Sequence, residues 1–581
     1  MASTQTLHLG AYARVVRSAM DHAKTDRYLP RLWQKDASLF SQDSAVQAAI
    51  QNRLGWLTFP RFMAQQVDTL REIAQEVRDA GCTQVLLLGM GGSGLFSEVC
   101  RNTFGAAPGH PDVTVLDTTD STAIQQHQQR CPLPQLFVIV SSKSGGTSES
   151  IALSKYFYET FKSVNGGPGS HCLAITDAGT PLESQAAAWK VRRTFVHGPG
   201  SGADVGGRFS ALTFFGLVPA ALLGVDVSRL LERAIAMLEA CGPTGLLEQN
   251  PGASLGAALA ALAGVGRDKM TLLCSPALES FGTWVEQLVA ESTGKLGKGI
   301  APFFGEPVRD SSAYGDDRIF VELQLAPELD PKVDRQVREL MTAGHPVIRI
   351  HWQDRYDLGG EVSKWSIATT IAGALMGINP FDEPNVQESK DRTKALLAQY
   401  IQARSFPQDA PFCSEGDVSL FDASSAPGGS SRSLVQHLSA WLQRGHATDY
   451  LALLSFWPRS GAWDGAVQTI RTRLAQATGR ATMLGFGPRY LHSTGQLFKG
   501  GPDTALFLLL TADDPIDLPI PGEPYTFGAL KQAQALGDFQ AMQERKRRVL
   551  RVHLGGALER SLQEFLAAVD EAAVMISAAR R

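Results

Sequence analysis

Residues 84–94, QVLLLGMGGSG, run into LFSEVCRNTFG at 95–105, and this stretch decides the fold class. The apolar run Val85 to Leu88 is too short for a helix and suits a strand buried on both faces. Glycines then turn the chain into an amphipathic helical stretch. The same phrase recurs at Val113 to Leu116, Leu136 to Val140 and Cys172 to Thr176, each almost wholly apolar and each followed by turn residues. Strands alternating with helical stretches predict a parallel sheet covered by helices. The pattern restarts with Met270 to Cys274, Ile319 to Leu325 and Val347 to His351. It restarts again with Tyr450 to Phe456, Ala481 to Phe486, Ala505 to Thr511 and Val549 to His553. No sequence repeat of fixed period accompanies this architectural repetition.

At 581 residues the chain exceeds what one hydrophobic core organises. The reading gives a helical N-terminal segment (1–80), a first α/β domain (81–240) and a second (241–404). A linker dense in Pro, Gly and Ser (405–432) and a C-terminal α/β unit (433–581) follow. A 44% hydrophobic and 19% charged composition is that of an ordinary globular protein. The net charge of -4 offers no global field for nucleic acid or an anionic membrane, so neither is expected as a partner. The longest weakly polar stretch, 252–266, falls short of the roughly 20 residues a membrane span needs and reads as a tightly packed buried helix. The start of the chain lacks the apolar core of a signal peptide. The seven cysteines include no CxxC pair, which argues against a disulfide framework or a structural zinc site and for a reduced, cytoplasmic setting.

Glycine, at 56 residues, is close to one residue in ten, and much of it sits in candidate ligand loops. GMGGSG (89–94) would let backbone approach a ligand; it also fits a dinucleotide fingerprint, with Asp117 as the ribose partner, or a plain tight turn. SSKSGGTSES (141–150) presents Ser142, Ser144, Thr147 and Ser150 at a helix start, where one hydroxyl would suffice for a cap, and so points to phosphate. It lacks a GK[ST] ending, which excludes a Walker loop. VGGRFSAL (205–212) places Arg208 against crowded backbone. EQLVAESTGK (286–295) carries Glu291 at the end of an apolar helix, where burial would raise its pKa and make it a base. LHSTGQLFKGG (491–501) offers His492 as an acid or base near neutral pH. Each residue alone has a bland reading: a cap, a surface arginine, an exposed glutamate, a structural histidine.

Together with NPFDEPNVQESK (379–390), these segments resemble the signatures of the glucose-6-phosphate isomerase family, which is built on sugar-isomerase (SIS-type) α/β domains. The tail from 524 to 555 is similar to the isomerase portion of bifunctional transaldolase/glucose-6-phosphate isomerases, although no transaldolase barrel precedes it here. The resemblance demotes the dinucleotide reading, which leaves the other segments unexplained. It implies reversible aldose–ketose isomerisation of glucose 6-phosphate and fructose 6-phosphate through a cis-enediol, in glycolysis and gluconeogenesis, without metal or organic cofactor. It implies phosphate binding by Ser142, Lys143, Ser144, Thr147 and Ser150, with Gly91 and Ser93 at the sugar end and Gln287 contacting the sugar. Glu291 is the implied base and Arg208 the group that steadies the enediolate. His492 and Lys390 would open the ring, and Glu149 would orient the histidine. A cytoplasmic enzyme, monomeric or homodimeric, with a functional link to a transaldolase, is the expected context.

Two departures stand out. Gly146 occupies a place where many relatives have threonine. Stand-alone family members carry the histidine before the lysine, whereas here Lys390 precedes His492, so the histidine has moved to the third unit. In the usual enzyme it comes from a neighbouring subunit; here the same chain would supply it. Two rival readings are an isomerase that also accepts mannose 6-phosphate and a non-catalytic SIS-type sugar-phosphate sensor. A sensor needs the serine loop but not Glu291, Arg208, Lys390 and His492 together.

Overall fold

The computed structural model describes residues 3–407, 410–422 and 432–580. All eleven expected strands are present, with ends within one residue of those read from the sequence. In chain order the strands are β1 (Thr4–His8), β2 (Gln84–Leu88), β3 (Asp112–Leu116), β4 (Leu136–Ser141), β5 (Cys172–Asp177) and β6 (Arg193–His197). Next come β7 (Lys269–Cys274), β8 (Ala301–Phe303), β9 (Arg318–Leu325) and β10 (Val347–Trp352). The last are β11 (Cys413–Glu415), β12 (Val418–Phe421), β13 (Tyr450–Ser455), β14 (Ala481–Phe486), β15 (Ala505–Ala512) and β16 (Arg548–Leu554).

They form three sheets, ordered β3-β2-β4-β5-β6, β8-β7-β9-β10-β1 and β14-β13-β15-β16-β12-β11. The first is parallel throughout. The other two are parallel apart from β1, β11 and β12, which pair antiparallel at one side. In every sheet the first α/β strand (β2, β7 or β13) has the second strand on one side and the third on the other. Where successive strands are laid down on opposite sides, the loops at their carboxyl ends part and leave a crevice.

The chain divides into two compact units. The first comprises Met1–Asp117, Gln128–Gly305 and Asp316–Glu383, and the second Thr118–His127, Glu306–Gly315 and Pro384–Arg581. This corrects the expected boundaries. The segment 1–80 and the stretches 81–240 and 241–383 share one core in the first unit, running from Val16 to Phe381. The cause is helix packing across the expected boundary at 240: helix Val227–Ala240 and helix Pro251–Gly264 both pack on the long helix Asp357–Met376. Nor is the N-terminal segment wholly helical, because β1 pairs with β10 in the second sheet.

Two further boundaries shift. The long segment of the second unit begins at Pro384, inside NPFDEPNVQESK, so Glu383 and Lys390 belong to different units. Residues 413–421 of the expected linker form the hairpin β11–β12, turned by Gly416 at φ +57° and paired to β16. Residues 408–409 and 423–431 of that linker lie outside the described residues. No helix among the described residues is long and apolar enough to cross a membrane.

Candidate active site

In the first unit the glycine loop and the serine loop leave the carboxyl ends of β2 and β4, adjacent strands at the switch point of their sheet. A short bond holds them together, from the Ser141 hydroxyl to the Ser93 carbonyl at 2.6 Å. Gly91 adopts φ +52°, which a side chain would strain. Gly92 lies against the Gly207 backbone so closely that a Cβ would sit 1.9 Å from the Gly207 oxygen. The Ser210 hydroxyl reaches back to the Gly92 carbonyl at 3.2 Å. The GMGGSG and VGGRF segments, separate in sequence, are therefore one packed floor.

In the serine loop, Gly145 turns the chain at φ +61° and Thr147 precedes helix Ser148–Phe161. The Thr147 hydroxyl does not cap that helix; it accepts from Ser142 Oγ at 3.1 Å. The first-turn N–H groups are thus left without that side-chain cap, an arrangement suited to an anion. Ser142 is buried and Ser144 exposed. Two residues of the expected phosphate set are placed otherwise. Lys143 Nζ is bonded to Asp177 Oδ2 at 2.5 Å and to the carbonyls of Gly202 and Ala203 at 3.1 and 3.3 Å, so it ties the loop to the end of β5. The Ser150 hydroxyl is sealed from solvent and has no hydrogen-bond partner among the described residues. Glu149, in the first turn of the helix, is buried.

Arg208 is 3% exposed, and all of its nitrogens are engaged. Nε donates to Ser292 Oγ at 2.8 Å, and Nη2 donates to the carbonyls of Pro380 and Asp382 at 2.6 and 2.9 Å. Nη1 donates to Glu383 Oε2 at 3.0 Å and lies 3.4 Å from Glu291 Oε1. Glu291 closes helix Glu279–Thr293 and is 8% exposed, against the usual solvent exposure of a last-turn glutamate. Gln287, one turn earlier on the same face, donates to Glu291 Oε2 at 3.3 Å.

Burial pushes the Glu291 carboxyl above its ordinary pKa; Arg208 pulls it down, Glu383 pushes it up again and Lys295 opposes, with the upward push winning. Glu383 goes the other way: its own burial pushes it up, but the charge of Arg208 and the direct bond to it outweigh that push. Two neighbouring carboxylates with opposite shifts are an arrangement that could give and take a proton. Lys295 completes the cluster: its Nζ is bonded to the Asn379 carbonyl at 2.6 Å and to Asp382 Oδ1 at 2.7 Å. Burial and Arg208 bring it down to about 8. The sequence reading did not single out Glu383 or Lys295, although both lie inside motifs it quoted. Charged residues set among glycine, proline and asparagine in those motifs were the available signal.

In the second unit, Lys390 is exposed on helix Val386–Ala403, and His492 is half-buried at the end of the turn Arg489–His492. Their segments are fastened together. Asn385 N donates to Gln496 Oε1 at 2.9 Å, and Gln496 Nε2 returns a bond to Asn385 Oδ1 at 2.7 Å. Asp538, fully buried on helix Phe527–Glu544, accepts from Ser389 Oγ at 2.9 Å, Tyr490 OH at 2.7 Å and Lys499 Nζ at 2.7 Å. Lys390 and His492, far apart in sequence and in reversed order, are thus carried by neighbouring elements of one unit. No group of three or more His, Cys, Asp or Glu among the described residues could hold a metal ion.

Three mainly parallel sheets that share the order of their first three α/β strands, with glycine and serine loops at a switch point, define the fold class: an SIS-type α/β fold. A crystal structure of a hypothetical protein from Thermus thermophilus shares this fold at TM-score 0.57 and 22% identity, covering 68% of this chain and all of the other. So does a glucose-6-phosphate isomerase from Chlamydia trachomatis, at TM-score 0.57 and 17% identity, covering 68% of this chain and 87% of the other.

The resemblance to the glucose-6-phosphate isomerase family extends from the motifs to relatives matched over 45–61% of the chain. The chain is 27% identical over 404 residues to a glucose-6-phosphate isomerase of Rubrobacter xylanophilus, covering 61% of this chain and 92% of the relative. It is 30% identical over 304 residues to that of Enterococcus faecalis, covering 45% and 66% respectively. No family profile matches the chain.

Proposed function

We propose that this chain is a glucose-6-phosphate isomerase, interconverting glucose 6-phosphate and fructose 6-phosphate. The observation that supports it most is the buried pair of Glu291 and Arg208, 3.4 Å apart, in a unit whose serine loop leaves a helix start without its side-chain cap. A sugar-phosphate sensor has no use for a buried carboxylate of raised pKa beside a fixed cation.

The reading assigns the following chemistry. The phosphate sits on the serine loop, held by Ser142, Ser144, Thr147 and backbone N–H groups. His492 and Lys390 move the proton from the C1 hydroxyl to the ring oxygen, which breaks the ring bond and frees the C1 carbonyl. The Glu291 carboxylate then takes the C2 proton, and the electron pair moves through C1 to its oxygen, giving a cis-enediolate. Arg208 steadies that charge. The now protonated Glu291 returns the proton to C1 while the O2 proton passes to O1, so that C2 becomes the carbonyl and the ketose results. A base that gives back the proton it took must work near neutral pH, as a carboxyl of raised pKa does. Glu383 holds Arg208 and balances its charge, and Lys295 fastens Asp382, whose carbonyl Arg208 also bonds.

The test is a coupled assay of fructose 6-phosphate conversion with wild type and Glu291→Gln. Turnover is expected to fall by about 10²–10⁴-fold while binding of a sugar phosphate persists. Unchanged turnover rejects the assigned base, and a wild-type chain that binds sugar phosphates without turnover makes the protein a sensor.

A further inference from the structure

Lys295 is 3% exposed, and its ammonium has three acceptors around it: the Asn379 carbonyl at 2.6 Å, the Asp382 carbonyl at 2.5 Å and Asp382 Oδ1 at 2.7 Å. An ammonium carries three N–H groups and no lone pair, so donors and acceptors match one to one. A neutral amine has two N–H groups and a lone pair. On losing its proton Lys295 would leave one of these oxygens without a donor and turn a lone pair toward it. The three contacts are complete in the charged form alone.

A closed turn holds the lysine in place. The backbones of Lys295 and Lys298 bond each other at 3.0 and 2.9 Å, across Leu296 and Gly297 at φ +55° and +72°. Left-handed backbone strains a leucine, and Leu296 buries little in return, being 81% exposed. Lys298 Nζ donates to the Met376 carbonyl at 2.7 Å, so the two lysines pin segment 376–382 at both ends. That segment is the seat of Arg208. Arg208 Nη2 donates to the carbonyls of Pro380 and Asp382, and the Asp382 oxygen thus receives both cations; Glu383, the next residue, holds Nη1.

Burial and the like charge of Arg208 bring Lys295 down to about 8, against the upward pull of Asp382 and Glu383, so the third donor is lost within reach of a working pH. The other charged groups facing it do not act in this sense. An arginine keeps its charge throughout, while Asp382 and Glu383 bind the two cations, and Glu291 takes a proton, only as carboxylates. We propose, on the isomerase reading above, that Lys295 is a positioning residue: as an ammonium it gathers residues 379–383 into the seat that aims Arg208 at the enediolate, and its deprotonation loosens that seat and slows turnover at alkaline pH.

The experiment is the pH dependence of kcat and KM for fructose 6-phosphate conversion by the full chain, with coupling enzyme in excess at every pH and circular dichroism to show that the chain stays folded. Wild-type kcat should be halved at about pH 8 and be down about tenfold by about pH 9, with KM steady because the phosphate is held by the serine loop. Lys295→Arg is charged at every pH and should lose this limb. Lys295→Met is never charged and should run at the depressed alkaline level throughout. Asp382→Asn, an isosteric change at a half-exposed side chain, keeps the test alive if the lysine variants do not fold: it removes a carboxylate that pulls Lys295 up, and should move the limb to lower pH. The proposal falls if wild-type kcat is level up to about pH 9.5, if the limb persists in Lys295→Met or Lys295→Arg and so belongs to another group such as His492, if Asp382→Asn leaves it in place, or if KM alone moves. Turnover with a level profile rejects the role of Lys295 alone, whereas no turnover at any pH rejects the isomerase reading with it.

Discussion

Replacing Asp538 with leucine removes the acceptor on which three side chains converge. Lys499 is 1% exposed and its only ion pair among the described residues is with Asp538, 2.7 Å away. Without it a buried ammonium is stranded, and breaking such a pair costs about 3–5 kcal/mol. Against a domain stability of about 5–15 kcal/mol this is a large share. Urea unfolding followed by circular dichroism should therefore shift strongly in Asp538→Leu. Lys499→Met should cost a comparable amount, since it strands the carboxylate instead. Asp538→Leu/Lys499→Met removes both charges and should recover most of the loss, short of about 1–3 kcal/mol for the hydroxyls of Tyr490 and Ser389 left without their acceptor. Turnover should track the same series, because Asp538 fastens the helix of Lys390 to the turn of His492. A single variant within about 1 kcal/mol of wild type, or a double variant less stable than either single one, refutes the reasoning.

Acid stability should depend on His197, which is fully buried, stacked on Phe215, and held down to about 3 by burial and by Lys143. The unfolded chain takes up this proton at about 6.5 and the folded chain does not, so its contribution is complete above about pH 6.5 and drains away as pH falls toward about 3. His197→Phe should flatten the fall in unfolding free energy between about pH 6.5 and 4, and an unaltered slope contradicts the assignment. At Gly92 an alanine methyl would strike the Gly207 carbonyl, whereas a methyl on Gly207 meets nothing within 4 Å. Gly92→Ala is thus expected to lose about 1–3 kcal/mol and most turnover, with Gly207→Ala close to wild type; equal behaviour of the two disproves the packed floor.

The strands were legible because parallel strands buried on both faces leave an apolar run that no other local structure explains, as in Leu136–Ser141. The five strands that were missed, β1, β6, β8, β11 and β12, lie at or beside sheet edges and were missed for the complementary reason. Thr4–His8 alternates and is half exposed, and Cys413–Glu415 is polar, so neither carries that run. The loops GMGGSG and SSKSGGTSES could be read because backbone freedom and hydroxyl density are properties of residue types. Their side-chain settings could not, since the Lys143–Asp177 bond and the burial of the Ser150 hydroxyl depend on distant partners.

Sequence by itself therefore determined the fold class, the buried strands, the glycine- and serine-rich loops and the family resemblance, all of which follow from local pattern. Tertiary structure alone decided that the stretches on either side of residue 240 share a core, and that one motif is split between Glu383 and Pro384. It also decided that Glu291 is buried beside Arg208 and Glu383 instead of exposed. Those outcomes depend on which helix packs on which and on the resulting desolvation, and no window of sequence contains both partners.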